Sequence, residues 1–345
     1  MMIGETGNRV SGETGKVLVT GGTGFIGRRL VERLVVEGYE VRIFGRSATS
    51  LSPFPFPPSP FPPKLIAATI TDAAAVSRAA EGVDTVFHLA GCAKAWSRDP
   101  NEFRDVNVRG TEHVVAACAH HGVRRLVHFS TALVDPPDRL ITAYQRTKLD
   151  GEEVVRQQLE STTAVILRPT RVYGPGLLSV ANSVTTVIDL YRKGRFRVRI
   201  ADGGAVANYV FVDDVVEAAV LASRHLPETT ETPAFAIGGE NATMPQFLDA
   251  VATVTGRTRF VAAIPKPLAK AAAYAALGLA RFGIEPLITP DWVELLATDW
   301  PVSSDRARRD LGYAPRGMRE GIAETVAWLG ARGARGDRET TWQSK

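Results

Sequence analysis

From Lys16 to about Pro169, short apolar runs alternate with stretches whose apolar residues recur every three or four positions. The runs KVLVTG, YEVRIFG, KLIAAT, DTVFHLAG, RLVHFST and TAVILRP have the length and composition of strands covered on both faces. Between them Phe25–Glu37, Asp72–Ala80, Asn101–His121 and Thr142–Glu160 carry the helical period, with Asp72 where a helix N-cap belongs. Strand and helix in strict alternation predict an α/β fold: a doubly wound parallel sheet, the Rossmann fold. One connection departs from this. LSPFPFPPSPFPPK, Leu51–Lys64, is too rich in proline for a crossover helix and favours extended polyproline backbone. Its three phenylalanines suit a loop packed on the surface better than a docking strand for a proline-reading partner.

After Gly174 the pattern loosens into helices, short strands and Gly/Pro punctuation. The recognisable pieces are YVFVDDVVEAAVLA at Tyr209–Ala222, FAIGG at Phe235–Gly239, a helix near Pro245–Thr255 and SSDRARRDLGYAPR at Ser303–Arg316. The expected organisation is a flexible leader (1–15), a dinucleotide-binding domain (16–175) to which strands from 205–240 return, a smaller and mostly helical substrate-binding region (176–330) and a flexible tail (331–345). KPLAKAAAYAALGLARFG, Lys266–Gly283, is too short and too flanked by charge to span a bilayer, and is expected to pack rather than to lie on a membrane or a greasy substrate.

Composition narrows the function classes. Of 345 residues, 45% are hydrophobic and 23% charged, as in an ordinary folded enzyme, and no apolar run nears the ~20 residues of a membrane span. The first residues lack the apolar core of a signal peptide. Cys92 and Cys118 sit in segments that read as buried and share no metal-ligand spacing with histidines, so a reduced, cytoplasmic protein without a metal is expected. A net charge of +4 with dispersed basic residues does not indicate a nucleic-acid surface.

Two strings carry chemistry. TGGTGFIG, Thr20–Gly27, puts Gly21, Gly24 and Gly27 at three-residue intervals between the first strand and its helix. Bare glycine backbone turns tightly and lets a pyrophosphate approach the N–H groups of the helix N-terminus. At the end of the second strand, where a carboxylate would select NAD, the chain reads Phe44-Gly45-Arg46-Ser47. Arg46 can fork onto a 2′-phosphate and Ser47 can add a hydrogen bond, so NADP is the expected cofactor, with NAD the alternative.

The second string, YQRTK, puts Tyr144 and Lys148 on one helical face. A nearby ammonium is expected to favour the phenolate and so let Tyr144 exchange a proton near neutrality. Ser130 and Thr131 close the strand RLVHFST at the carboxyl edge, where ligands of such sheets bind, and either hydroxyl can meet a substrate carbonyl.

With these motifs in order, the chain resembles the extended branch of the short-chain dehydrogenase/reductase superfamily. The likeness runs from about Lys16 to Gly330 through TGGTGFIG, HLAG at His88–Gly91, NVRGT at Asn107–Thr111, Ser130-Thr131, YQRTK, LRPTRVYGPG at Leu167–Gly176, FVDD at Phe211–Asp214 and ARRDLGYAP. It implies that Thr131 is the catalytic hydroxyl, Tyr144 the acid/base and Lys148 also a ligand of the nicotinamide ribose. It further implies cofactor contacts from Thr23, Phe25 and Ile26 beside the three glycines, from Leu89, Ala90 and Gly91, and from backbone around Pro169 and Val172. A water relay near Asn107 is implied too, as is a homodimer built on the helices at Asn101–His121 and Thr142–Glu160.

Departures from the family pattern matter as much. Where an aspartate often binds the adenine amino group the chain has Thr69, leaving Ile70 to pack on the ring. Dehydratases of the superfamily carry an acidic pair where this chain has Ala132 and Leu133. Sugar-nucleotide epimerases commonly have asparagine where it has Arg171, although an arginine can itself meet a phosphate. The later half, with PLITPDWVELLATDW at Pro286–Trp300, looks more like the 3β-hydroxysteroid dehydrogenase and dihydroflavonol reductase group. The reading is therefore a ketone/secondary-alcohol oxidoreductase acting on a bulky, largely apolar small molecule that is steroid-, flavonoid- or ketoacyl-like. A nucleotide-sugar epimerase with a recycled cofactor and a non-catalytic NADP-binding regulatory subunit are the alternatives.

Overall fold

Each apolar run of the first half forms a strand: β1 (Lys16–Thr20), β2 (Glu40–Gly45), β3 (Lys64–Ala67), β4 (Thr85–His88), β5 (Arg125–Phe129) and β6 (Thr163–Pro169). The structure, a computed structural model, describes residues 15–46, 58–158, 162–201, 203–224 and 231–334. The expected leader up to residue 14, Ser47, the first half of the proline-rich connection and the end of the tail lie outside the described residues. Within that connection Phe61 is described, and it is exposed rather than packed.

The helices between these strands are α1 (Phe25–Val36), α2 (Ala73–Ala80), α3 (Glu102–Arg104), α4 (Gly110–His121) and α5 (Ala143–Gln158). Asp72 caps α2 by accepting from the Ala75 N–H at 3.0 Å. The single helix expected over Asn101–His121 is interrupted by a π-helical turn, Asp105–Arg109, between α3 and α4.

The later half supplies β7 (Arg171–Tyr173), α6 (Ser183–Arg192), β8 (Val198–Ile200), β9 (Val206–Phe211), α7 (Val212–Arg224), β10 (Ala234–Ile237), β11 (Glu240–Thr243) and α8 (Met244–Thr255). It ends with β12 (Ala262–Ile264), α9 (Lys266–Leu279), α10 (Pro290–Leu296), α11 (Asp305–Leu311) and α12 (Met318–Ala334). The last helix continues past residue 330, where the sequence pattern had ended the folded region.

Among the described residues, seven strands form one parallel sheet in the order β10-β6-β5-β4-β1-β2-β3. The order reverses between β1 and β4, so ligand space opens beyond their carboxyl ends. The sheet is buried on both faces: Val17 and Val19 point into the layer with α1 and α7, while Leu18 and Phe44 face the layer with α2 and α4. β10 carries a strand of the later half into this sheet beside β6. A third core, around Tyr173, Tyr209, Phe211 and Phe247, holds the sheet β11-β9-β7 against α6, α8 and α12.

Candidate active site

The glycine turn is shaped by contacts that a side chain would block. Gly21 takes a φ of +69°, and a Cβ there would lie 2.7 Å from the Ala90 nitrogen. A Cβ on Gly27 would lie 2.2 Å from the Gly21 carbonyl oxygen, so α1 starts packed on the turn itself. α1 has Gly24 as its N-cap, with no side-chain cap and no acidic residue in the first turn. The N–H groups of Phe25, Ile26 and Gly27 therefore remain for an anion, and this cradle fits a dinucleotide pyrophosphate. Phe25 contributes backbone alone, because its ring is buried in the core and Gly176 rests on it. Thr23 lies against Gly45, joining the turn to the end of β2.

Arg46 follows β2, exposed. Its charge is felt at Glu102: burial raises that carboxyl, but Ser97 and Lys94 outweigh the burial, and Arg46 adds to holding it below its ordinary value. At the adenine end Thr69 is exposed, its hydroxyl 2.9 Å from that of Thr71. Ile70 is buried against Gly110, so its side chain faces the helices.

The helix bearing the second motif starts on a capping box. Thr142 Oγ1 accepts from the Gln145 N–H at 3.2 Å, and Gln145 Oε1 accepts from the Thr142 N–H at 2.9 Å. Gln145 Nε2 also donates to the Leu133 carbonyl at 2.7 Å, which ties the start of α5 to the segment after Thr131. That tie brings Tyr144 to Thr131, and the two side chains are hydrogen-bonded. Thr131 Oγ1 accepts from the Leu133 N–H at 3.3 Å as well. Lys148 is buried and donates to the Phe129 carbonyl at 2.5 Å.

The electrostatics correct one expectation. Burial pushes the Tyr144 phenol up to about 12, only partly offset by the Thr131 hydrogen bond, and Lys148 does not pull it down. The reason is geometric: the ammonium is committed to Phe129, and burial itself lowers Lys148 to about 8 against the opposing pull of Glu152. The protein alone thus holds Tyr144 protonated at neutral pH.

Around these groups lies a buried polar frame. Asn107, in the π turn, clamps the Cys92 backbone: its Oδ1 accepts from the Cys92 N–H at 2.7 Å and its Nδ2 donates to the Cys92 carbonyl at 3.2 Å. Nδ2 also donates to Thr147 Oγ1 at 3.0 Å, one residue before Lys148. The clamp fixes the segment Leu89–Cys92, and Gly91 lies beside both Asn107 and Lys148. Ala90 N–H points to Thr20 Oγ1 at 3.3 Å, and Leu89 N–H donates to the Thr20 carbonyl at 3.0 Å. His88 bridges Thr20 (2.7 Å) and Thr111 (3.1 Å); burial and then Lys148 lower it to about 3, so it stays neutral. Pro169 ends β6 next to Ile237 of β10, and Val172 is buried in β7.

Two residues of this site escaped the sequence reading. Glu152, fully buried, continues the Tyr144–Lys148 spacing by another four residues and is gripped by Arg168 through Nε at 2.8 Å and Nη2 at 2.7 Å. Burial raises its carboxyl, but Arg168, Ser130 and Arg156 outweigh that and hold it below the ordinary value. The helical spacing was the signal available for it. Trp292, the third residue of α10, stacks beside Tyr144 with ring centroids 6.4 Å apart and planes at 29°. Nothing in the local sequence announces that contact across the chain. Arg171, a residue considered for a phosphate, places its guanidinium over the Tyr209 ring at 5.9 Å. Among the described residues there is no group of His, Cys, Asp and Glu able to hold a metal, and no helix long and apolar enough to cross a membrane.

Known proteins resemble the chain in sequence and in fold. Residues 17–238 match the profile of the NAD dependent epimerase/dehydratase family. A 2-alkyl-3-oxoalkanoate reductase of Stenotrophomonas maltophilia is 31% identical over 90% of this chain and 98% of its own length. A 3β-hydroxysteroid dehydrogenase/Δ5→4-isomerase of Mycobacterium tuberculosis is 29% identical over 88% of this chain and 87% of its own. The solved structure of an epimerase from Methanothermobacter thermautotrophicus superposes with a TM-score of 0.75 at 23% identity, covering 94% of this chain and 95% of that one, which shows the shared fold.

Proposed function

The chain belongs to the NAD dependent epimerase/dehydratase family, and from that membership we propose that it is an NADP-preferring oxidoreductase that interconverts a ketone and a secondary alcohol on a bulky, largely apolar small molecule. The cofactor, when bound, supplies or accepts the hydride. In the reducing direction the carbonyl carbon gains that hydride while its oxygen gains a proton from Tyr144 Oη, leaving the neutral alcohol. Thr131 Oγ1, bonded to Tyr144, orients the oxygen. Lys148, whose ammonium also donates to the Phe129 carbonyl, would hold the nicotinamide ribose. The N–H groups at Phe25–Gly27 take the pyrophosphate, and Arg46 takes the 2′-phosphate.

The observation that carries the substrate class is the indole of Trp292 lying flat beside the Tyr144 ring. An apolar plane next to the proton donor suits a flat hydrophobic carbonyl compound. The names borne by the relatives, a 3-oxoalkanoate reductase and a 3β-hydroxysteroid dehydrogenase, support the same chemistry. The half of the chain after Gly174, which contributes Trp292, is the proposed substrate side. The test is a panel of steroids, flavonoids, 3-oxoacyl compounds and UDP-sugars with NADPH or NADH, followed by nicotinamide absorbance. Turnover of at least one apolar ketone, lost by about 10²–10⁴-fold in Tyr144→Phe, is expected. Turnover that survives Tyr144→Phe, or confined to sugar nucleotides, overturns the reading. We further propose a cytoplasmic homodimer joined through α4 and α5, to be checked by light scattering.

A further inference from the structure

The turn that follows Thr131 is held by two side chains from different halves of the chain. Ala132–Val134 make a single 3₁₀ turn with Thr131 as its N-cap, and Thr131 Oγ1 accepts from the Leu133 N–H. The turn's own bonds are long. The Val134 N–H reaches the Thr131 carbonyl, and the Asp135 N–H the Ala132 carbonyl, each at 3.3 Å. One 3₁₀ turn closed in this way does little to fix a hydroxyl by itself. Shorter bonds come from outside: Gln145 Nε2 of α5 donates to the Leu133 carbonyl at 2.7 Å, and Trp300 Nε1 donates to the Ala132 carbonyl at 3.1 Å.

The Trp300 indole is itself anchored. Trp300 is buried; its backbone N–H donates to the Val206 carbonyl at 2.8 Å, and Asp299 Oδ1 accepts from the Val206 N–H at 2.7 Å. Both backbone groups of the first residue of β9 are thus used to seat residues 299–300, and β9 pairs in turn with β7. The Arg139 guanidinium lies over the indole, 5.1 Å from the ring centroid, and Arg139 Nη2 reaches the Asp299 carbonyl at 3.4 Å. The same anchor fixes the chain just after α10, the helix that carries Trp292.

A buried indole N–H needs an acceptor, and many carbonyls would serve a residue that only fills space. Here the acceptor is the carbonyl next after Thr131, in a turn whose cap is the hydroxyl bonded to Tyr144. Because Thr131 Oγ1 accepts from inside that turn, a rotation of the turn carries the hydroxyl with it. We infer that Trp300 is a positioning residue for Thr131: its indole N–H, seated on β9, holds the turn so that Thr131 Oγ1 stays against Tyr144. The later half of the chain thereby sets the geometry of the catalytic pair as well as flanking it with Trp292. The kinetic consequence rests on the reaction proposed above; the hold on the turn does not.

The test is Trp300→Phe, which keeps an aromatic ring and deletes the N–H. Hydrogen exchange of the peptide covering residues 131–135 is expected to quicken by about tenfold or more, with peptides from β1 and β4 unchanged. With an apolar ketone, kcat is expected to fall about ten- to a hundredfold while the KM for NADPH stays within about twofold. Loss of packing alone would lower the unfolding temperature and leave both kcat per folded molecule and exchange at 131–135 as in wild type. If Trp300→Phe does not fold, benzothienylalanine introduced at position 300 by codon suppression keeps the shape of tryptophan with sulfur in place of the N–H. Unchanged exchange at 131–135, or faster exchange with kcat unchanged, overturns the inference. If the wild type turns over no ketone, the proposed reaction falls, and exchange at 131–135 alone decides whether Trp300 holds the turn.

Discussion

Removing the buried lysine should make the protein more stable while abolishing its chemistry. In the folded chain Lys148 is lowered from 10.5 to about 8, mainly by burial. At about 1.4 kcal/mol per pH unit, its charged form carries roughly 3 kcal/mol of penalty in the fold that the unfolded chain does not. Lys148→Met retains the volume and removes the charge, and it loses one hydrogen bond, to the Phe129 carbonyl, worth about 1 kcal/mol. The variant is therefore expected to gain about 2 kcal/mol at neutral pH, an upward Tm shift of a few degrees. The pH dependence gives the signature. Below 8 both states hold the proton and the penalty is whole; as pH rises from 8 toward 10.5 the folded state sheds its proton and the penalty fades. Above that range the difference changes sign, leaving the variant weaker by the lost hydrogen bond. The assay is urea or thermal unfolding of both proteins without nucleotide, at steps from about pH 6.5 to about pH 10.5. A variant less stable than wild type at neutral pH, or a difference that does not move with pH, refutes the reasoning.

Three further outcomes follow from the same geometry. Arg46→Ala should weaken NADP by about ten- to a hundredfold and leave NAD within a factor of about two, read by fluorescence titration. Gly27→Ala drives a Cβ to 2.2 Å from the Gly21 carbonyl oxygen, so nucleotide binding should vanish and unfolding should come earlier by about 1–3 kcal/mol, measured by calorimetry with and without NADP. Glu152→Gln leaves the Arg168 guanidinium short of its buried partner and should destabilise by about 3 kcal/mol near pH 7. Because the Glu152 carboxyl is held below its ordinary value, its contribution is present above the ordinary carboxylate range and lost as pH falls through the lowered value, so the gap between wild type and variant should close in acid.

The main sheet was legible because its strands are local apolar runs and its helices local amphipathic stretches; each needs only neighbouring residues to declare itself. The glycine turn was legible for a related reason, since Gly21 and Gly27 answer steric demands that no other residue type meets. Tyr144, Thr131 and Lys148 came together because one helix and one strand end suffice to place them. The direction of the Tyr144 shift was not legible: it depends on where the Lys148 ammonium points, and a partner offered by β5, the Phe129 carbonyl, decides that. Trp292 was invisible for the same kind of reason, as it reaches Tyr144 only once α10 has folded back over the sheet edge. The π turn at Asp105–Arg109 hid within an ordinary helical period, though Asn107 and Gly151 are its two marks: a Cβ at Gly151 would lie 2.7 Å from the Asn107 carbonyl oxygen.

The proton affinities of the site bear on what the proposed reaction asks of its groups. Tyr144 releases its proton near 12 and Lys148 near 8, so with the protein's own groups the lysine deprotonates long before the phenol. Tyr144 is therefore in its acid form at neutral pH, though its raised proton affinity makes it a weaker donor than an ordinary phenol. As a base it requires further positive charge in the site, and an oxidised nicotinamide carries such a charge. The two buried imidazoles do not supply it: burial and then Lys148 keep His88 and His128 neutral well below physiological pH. Were either protonated, it would depress Lys148 further. The neutral imidazoles thus leave Lys148 without a competing cation, and the proton transfer of the proposed reaction falls to Tyr144 in either direction.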